Sequence, residues 1–162
     1  MENKVEQLKE RFLKLFSFDG FENTDLQKIE KCLAINLPKA FINIAEFFKD
    51  QIIANRFLFT INSDVNEECS ITGATLLYRK NARLPNKYLA LEETEVSITL
   101  LDTETGQVLY LAVEDVYNLC EGNPLKYDPI IYPSFTDFFE YLLDEEEKMR
   151  EKEYAAATST VE

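Results

Sequence analysis

The chain has 162 residues, a formal net charge of −13 and no histidine. Its hydrophobic content of 46% is enough to build a packed domain and excludes a wholly disordered protein. The negative charge argues against nucleic acid as a partner, because phosphates would be repelled, and it favours rapid association with a basic surface.

Cysteine usage and hydropathy predict a cytoplasmic protein. The three cysteines lie far apart, form no CxxC pair and have no histidine to complete a mixed zinc site, so we expect reduced thiols. The carboxylates form no calcium-loop string. The N-terminus lacks the apolar run of a signal peptide, and no apolar stretch approaches the length of a membrane span. We therefore expect no cofactor, no metal and no membrane partner.

Three amphipathic helices are predicted in the first 50 residues. The first is broken at 17–20, and the second begins at Thr24, which has capping-box spacing to Gln27. Pro38 ends the second helix and opens the third. The apolar stripes of these helices consist, in chain order, of Val5, Leu8, Phe12, Leu15, Phe16, Leu26, Ile29, Leu33, Phe41, Ile44, Ala45 and Phe48.

After residue 50 the pattern changes to strands. Short apolar runs predict strands at 57–61, 75–78 and 88–91. Val96, Ile98 and Leu100 then alternate with polar residues, which predicts a strand with one buried and one polar face. The connection 102–106 ends in glycine and predicts a hairpin. The run 108–113 is apolar on both faces, as in a central strand.

The C-terminal third predicts a loop followed by a closing helix. Prolines at 124, 129 and 133 indicate an extended loop, after which Ser134 is placed to cap a helix. The buried face of that helix is predicted to be Phe135, Phe138, Phe139, Leu142 and Leu143. Residues 1–145 then form one domain, and 146–162 form a charged helix extension and a mobile tail. The whole order predicts an α+β domain, a mainly antiparallel sheet with N-terminal helices and a closing helix packed on it.

One long stretch of the chain is purely acidic. Between Lys87 and Lys126 there is no positive side chain, and the stretch also holds the best strand signals. We expect a firm scaffold to display its carboxylates outward, as a docking surface for a basic partner. The candidate partner-binding residues are Glu92, Glu93, Glu95, Asp102, Glu104, Glu114, Asp115 and Glu121.

Catalysis has little support in the sequence. Without histidine there is no Ser-His or Cys-His pair, and the four glycines form no phosphate-binding loop. Paired carboxylates leave a glycosidase-like arrangement open, but binding is the favoured interpretation. The basic group Arg79, Lys80, Arg83 and Lys87 has tyrosines nearby, which would suit RNA contact. The favoured interpretation is that this group borders strands and offsets the carboxylates.

Three local strings, in this order, resemble the SUKH superfamily, which consists mostly of bacterial proteins and is named partly for a yeast cell-wall regulator. The first is an acidic, apolar helix end at 29–33, followed by Leu37-Pro38 and an aromatic-rich helix at 41–48. The second is a strand–turn–strand unit at 100–110, with Asp102 and Gly106 in its turn. The third is the closing Ser134-Phe135 helix. The resemblance covers roughly residues 22–145.

That resemblance implies a function in binding, without an enzymatic activity. Many members of the superfamily are immunity proteins that neutralise a polymorphic toxin domain, often a nuclease. The expected partner is therefore a cognate toxin with a basic surface. The alternative is a regulatory or scaffold module that binds cellular proteins without inhibiting them.

Overall fold

The computed structural model describes residues 2–17, 25–49 and 52–160. Within these residues the chain forms an α+β domain, as predicted, with N-terminal helices, antiparallel sheets and a closing helix. Its elements are α1 (Glu2–Phe16), α2 (Leu26–Leu33), α3 (Lys39–Ala45), β1 (Ile52–Ile53), β2 (Arg56–Phe57), α4 (Ile71–Ala82), β3 (Tyr88–Glu93), β4 (Ser97–Asp102), β5 (Val108–Ala112), α5 (Asp115–Glu121), β6 (Ile130–Tyr132) and α6 (Phe135–Ser159).

The three N-terminal helices form where their apolar periodicity places them. Leu8 and Phe12 of α1, with Ile29 of α2 and Phe41 of α3, are buried in the main core. The predicted cap at Thr24 and most of the break at 17–20 lie outside the described residues. The helix α2 ends at Ala34, which adopts a left-handed conformation, and α3 begins directly after Pro38. Proline is favourable at this position, because a backbone N–H there would have no intrahelical acceptor and its absence costs no hydrogen bond.

The main sheet is a four-stranded antiparallel meander in the order β3-β4-β5-β6. The predicted strand at 88–91 is confirmed and runs on to Glu93. The β4–β5 turn is closed by the N–H of Gly106 donating to the Asp102 carbonyl at 2.7 Å. Gly106 has a φ of +79°, which glycine adopts without steric cost. A separate two-stranded hairpin, β1-β2, precedes α4.

Two of the predicted strands are wrong in whole or in part. Residues 75–78 lie inside α4, whose first turn is capped by Ser70: its hydroxyl accepts from the Gly73 N–H at 2.9 Å. A run of four apolar residues does not distinguish a strand from a buried helix, and the cap decides in favour of the helix. In the run 57–61 only Phe57 belongs to a strand, although Thr60 forms an isolated bridge with Ser70.

The predicted polar face of β4 is also wrong. Ser97 and Thr99 are buried, while Val96 lies outside the strand and is 72% exposed. The sheet is covered on both faces: α3 and α6 share a core with Leu89 and Leu101, and α4 and α5 pack against the opposite side. The predicted loop around the three prolines contains the edge strand β6, and the preceding helix α5 was not predicted.

The closing helix confirms its predicted cap and buried face. The Ser134 hydroxyl accepts from the Asp137 N–H at 3.2 Å, and all five predicted apolar residues are buried. The ring of Phe139 lies 5.3 Å from that of Phe48 and 5.9 Å from that of Phe12, so α6 joins the N-terminal helices in one core. The helix α6 continues to Ser159, and residues 151–160 are all exposed. The division of the chain at 145 stays a prediction.

Candidate functional site

The sheet separates the eight predicted carboxylates instead of displaying them together. Glu92, Asp102 and Asp115 are 3%, 5% and 1% exposed, so the expectation that they face outward is wrong for these three. Each has partners inside the domain, because a buried carboxylate is costly unless it is paired or hydrogen-bonded. The other five carboxylates are exposed.

Glu92 forms a buried ion pair with Arg56 of β2. The Arg56 Nε atom lies 3.1 and 3.0 Å from the two carboxylate oxygens, and its Nη2 atom also donates to Glu92. Thr99 completes the group, because its hydroxyl donates to Glu92 at 3.1 Å. The guanidinium lies over the rings of Tyr110 and Phe138, 5.4 and 5.2 Å from their centroids. Burial alone would lower the pKa of Arg56, but the hydrogen bonds and charge of Glu92 hold it above its usual value.

Asp102 and Asp115 organise loops by accepting backbone hydrogen bonds. Asp102 accepts from the N–H groups of Glu104 and Thr105 and from the Lys87 ammonium at 2.9 Å. Burial would raise the pKa of Asp102, but these donors outweigh it and hold the pKa below its usual value. Asp115 accepts from the N–H groups of residues 126 and 127 and from the Asn118 amide, and its pKa is lowered, chiefly by the first of these bonds.

Three of the five exposed carboxylates share one end of the sheet. Strand β3 ends at Glu93, the β3–β4 turn contains Glu95, and Glu114 follows the end of β5. The pairing of β4 with β5 brings these segments side by side, with the Val113 N–H donating to the Val96 carbonyl at 3.0 Å. We call this end of the sheet the hairpin end. Glu104 lies in the β4–β5 turn at the opposite end, and Glu121 lies at the end of α5.

A groove of about 600 Å³ opens on one side of the hairpin end. The Arg56–Glu92 pair lies in this groove, which is also lined by residues of the β1–β2 and β3–β4 hairpins and of β5, β6 and α6. Tyr132 and Tyr141 form part of its wall, with ring centroids 5.4 Å apart. Burial and the neighbouring Tyr141 raise the pKa of Tyr132, so the Tyr132 phenol stays protonated at neutral pH. The groove therefore presents aromatic surface and phenolic hydroxyls beside a neutralised ion pair.

A second groove of about 220 Å³ lies beside Glu93, on the face of the sheet that α4 and α5 cover. It is lined by Leu77 and Tyr78 of α4 and by Val116 and Tyr117 of α5. Glu93 lines both grooves. Burial and a hydrogen bond to Glu93 raise the pKa of Tyr78. Since the phenol is the donor, Tyr78 orients the Glu93 carboxylate between the two grooves.

Large apolar side chains are exposed around the two grooves. Val96 is 72% exposed, Phe57 69% and Tyr117 58%, and Ile130 at the first groove is also exposed. Aromatic residues and arginine are enriched at protein–protein interfaces, and tyrosine and arginine are among the residues that supply most of the binding energy. This feature could not be predicted from the sequence, because these residues come from four separate segments. The one local signal in the sequence was Val96. The alternating pattern places this apolar residue at the start of β4, but it lies outside the strand.

The remaining predicted groups do not form a further site. Arg79 donates to the backbone carbonyls of Leu33 and Asn86 at 2.8 and 2.9 Å, so it joins α2 to the start of β3. Arg79 and Lys80 lie in the last turn of α4 and do not follow a strand, because the strand predicted at 75–78 is a helix. Within the described residues the cysteines are free, and no three metal-binding side chains gather in a site.

Comparison with known proteins identifies one family. The model of the family SUKH_5, described as SMI1-KNR4 cell-wall, matches residues 1–144. This match includes all three strings on which the resemblance rested and extends it to the N-terminal helix. No curated protein gives a significant match. No helix in the described part of the chain combines the length and hydropathy needed to cross a membrane.

Proposed function

The chain belongs to the SMI1-KNR4 family within the SUKH superfamily, and we propose that it is a cytoplasmic immunity protein that binds and neutralises a cognate bacterial toxin domain. In this proposal the chain acts by contact alone and catalyses no reaction. The toxin presents a basic surface, such as the cleft in which a nuclease holds its phosphates.

The observation that carries the proposal is the composition of the hairpin end. It combines exposed carboxylates with exposed aromatic and apolar side chains, and Glu93 lines two grooves there. Carboxylates steer a cationic partner toward this end and suppress wrong partners, while desolvated aromatic contacts supply affinity. Neither Glu93 nor Glu95 forms an ion pair with another described residue, so both are available to a basic partner.

The docking surface in this proposal is smaller than the acidic stretch. It contains Glu93, Glu95 and Glu114, of which Glu114 lies 3.3 Å from the Lys126 ammonium. Glu104 and Glu121 remain candidates as exposed carboxylates elsewhere on the domain. Glu92, Asp102 and Asp115 are not part of this surface; their hydrogen bonds hold β2, the β4–β5 turn and the loop after α5 in place.

The test uses two matched charge reversals. Glu95 and Glu104 are both exposed turn residues, and they lie at opposite ends of β4. In this proposal the cognate toxin domain is encoded beside this gene. That domain is purified, and its affinity for the wild type, Glu95→Lys and Glu104→Lys is measured at low and physiological salt. We expect Glu95→Lys to weaken binding by roughly tenfold or more, chiefly through slower association, and Glu104→Lys to change it by less than about threefold.

Equal effects of the two reversals would mean that net charge alone drives association and that the hairpin end is not the docking surface. Stability separates binding from folding, because reversal of an exposed charge changes the unfolding free energy by less than about 1 kcal/mol. A wild-type chain that binds the toxin without inhibiting it would favour the alternative, a regulatory or scaffold module.

A further inference from the structure

The geometry of the hairpin end points to a more specific mode of binding, which rests on the proposed function. We propose that the β3–β4 turn, residues 94–96, is a preformed plug that enters a concave, cationic recess on the toxin. Glu93, at the base of the turn, lines both grooves, and Thr94 and Val96 of the turn line the first, so the rims of such a recess would lie in the two grooves. A flat partner surface would contact the tip and leave both grooves empty.

Most of the hydrogen bonds that order the turn are made by Thr94. The hydroxyl of Thr94 accepts from the Ser97 N–H at 3.0 Å and the Val96 N–H at 3.3 Å, and it lies 2.7 Å from the Ser97 hydroxyl. The Thr94 N–H in turn donates to the Ser97 carbonyl at 2.8 Å. These bonds order the turn before any partner arrives. A preordered loop loses less conformational entropy on binding than a mobile one, so it binds more tightly with the same contacts.

The side chains on the turn match a recess that is cationic at its floor. Glu95 and Val96 are exposed at the tip, and Glu93 stands at its base between the grooves. No lysine or arginine occurs between Lys87 and Lys126, so no positive side chain of the turn or its flanking strands opposes entry. Arg56 in the first groove is already neutralised by Glu92. Charge complementarity therefore selects a basic partner surface, and the convex shape of the turn selects a concave one.

The β4–β5 turn provides a matched control at the other end of the sheet. There the hydroxyl of Thr105 accepts from the Gln107 N–H at 3.3 Å. Thr94→Val and Thr105→Val therefore each remove one turn hydroxyl without changing side-chain volume. Thr94→Ser keeps the hydroxyl and serves as the conservative variant.

Two measurements on the full chain test the proposal. The first is amide hydrogen exchange of Val96 and Ser97 in the free protein, which Thr94→Val should accelerate and Thr94→Ser should leave close to wild type. The second is the dissociation constant for the purified toxin domain encoded by the adjacent gene. We expect Thr94→Val to weaken binding roughly fivefold to twentyfold through lost preorganisation, and Thr105→Val to leave it unchanged.

The outcomes separate this inference from the proposed function. If the wild type binds the toxin and Thr94→Val binds equally well despite faster exchange, the turn does not enter the interface and the plug is refuted alone. If exchange of the Val96 and Ser97 amides is unchanged in Thr94→Val, the preformed shape does not depend on that hydroxyl and the inference fails without reference to any partner. A wild-type chain that does not bind the toxin refutes the proposed function itself.

Discussion

The buried Arg56–Glu92 pair makes a prediction that distinguishes structural from surface carboxylates. In Glu92→Gln the side chain keeps its size but loses its charge, which leaves the Arg56 guanidinium without a counter-ion. Removing one partner of a buried ion pair costs about 3–5 kcal/mol, because an uncompensated charge remains in the interior. The Arg56 side chain is 19% exposed and keeps Thr99 and two aromatic rings as neighbours. We therefore expect a loss of about 2–4 kcal/mol in the free energy of unfolding.

Urea unfolding followed by circular dichroism measures this loss, and Glu93→Gln is the matched control. Glu93 is the next residue and is exposed, so its neutralisation should change stability by no more than about 0.5 kcal/mol. The double variant Arg56→Met, Glu92→Leu should be more stable than Glu92→Gln, because it leaves no unpaired charge in the site. If Glu92→Gln unfolds within about 0.5 kcal/mol of wild type, the Arg56 guanidinium does not depend on Glu92 as its counter-ion, and the assignment of Glu92 as a structural carboxylate is refuted.

Three further predictions concern the core, a close backbone approach and pH. Phe138→Ala should lower the unfolding free energy by about 3–5 kcal/mol in the same urea assay, since its ring is fully buried; a loss below 1 kcal/mol would contradict the packing of α6. Gly73→Ala should destabilise α4 despite the better helix propensity of alanine, because the new Cβ would lie 2.1 Å from the Glu67 carbonyl oxygen; a melting temperature at or above wild type would refute that contact. The pKa of Asp102 is lowered in the folded state, so its contribution to stability is present above the unfolded pKa of about 3.9 and is lost as pH falls through the folded pKa. Asp102→Asn should therefore show a weaker loss of unfolding free energy between pH 5 and pH 2 than wild type, and parallel curves would contradict the assignment.

Helix periodicity was the most informative part of the sequence. All five residues predicted for the buried face of α6 are buried, and its cap at Ser134 is the predicted one. Such a stripe repeats the same apolar spacing over several turns, so local sequence is sufficient to predict it. A four-residue apolar run carries no comparable redundancy. The run at 75–78 therefore predicts a strand, although Ser70 caps the helix that contains these residues.

The candidate site could be predicted only in part. Glu93, Glu95 and Glu114 were identified as exposed carboxylates, but so were three residues that the fold buries. The sequence shows that no lysine or arginine lies between Lys87 and Lys126. It does not show which basic residues from other parts of the sequence the fold brings against these carboxylates. Arg56 arrives from β2, 36 residues before its partner, and Lys87 folds back onto Asp102. The aromatic grooves escaped prediction for the same reason, because each is built from several separate segments.

By itself the sequence determined the acidic character of this protein, its α+β class, the stripes of its helices and its family strings. The charge count, the spacing of apolar residues and short motifs depend on residues close together in the sequence, so they can be read from the sequence without the structure. The tertiary structure decided which carboxylates are paired inside the domain and which remain exposed. It also placed the exposed carboxylates of the hairpin end beside tyrosines and a preordered turn. Those outcomes depend on strand register and on contacts between distant segments, and such contacts exist only once the chain has folded.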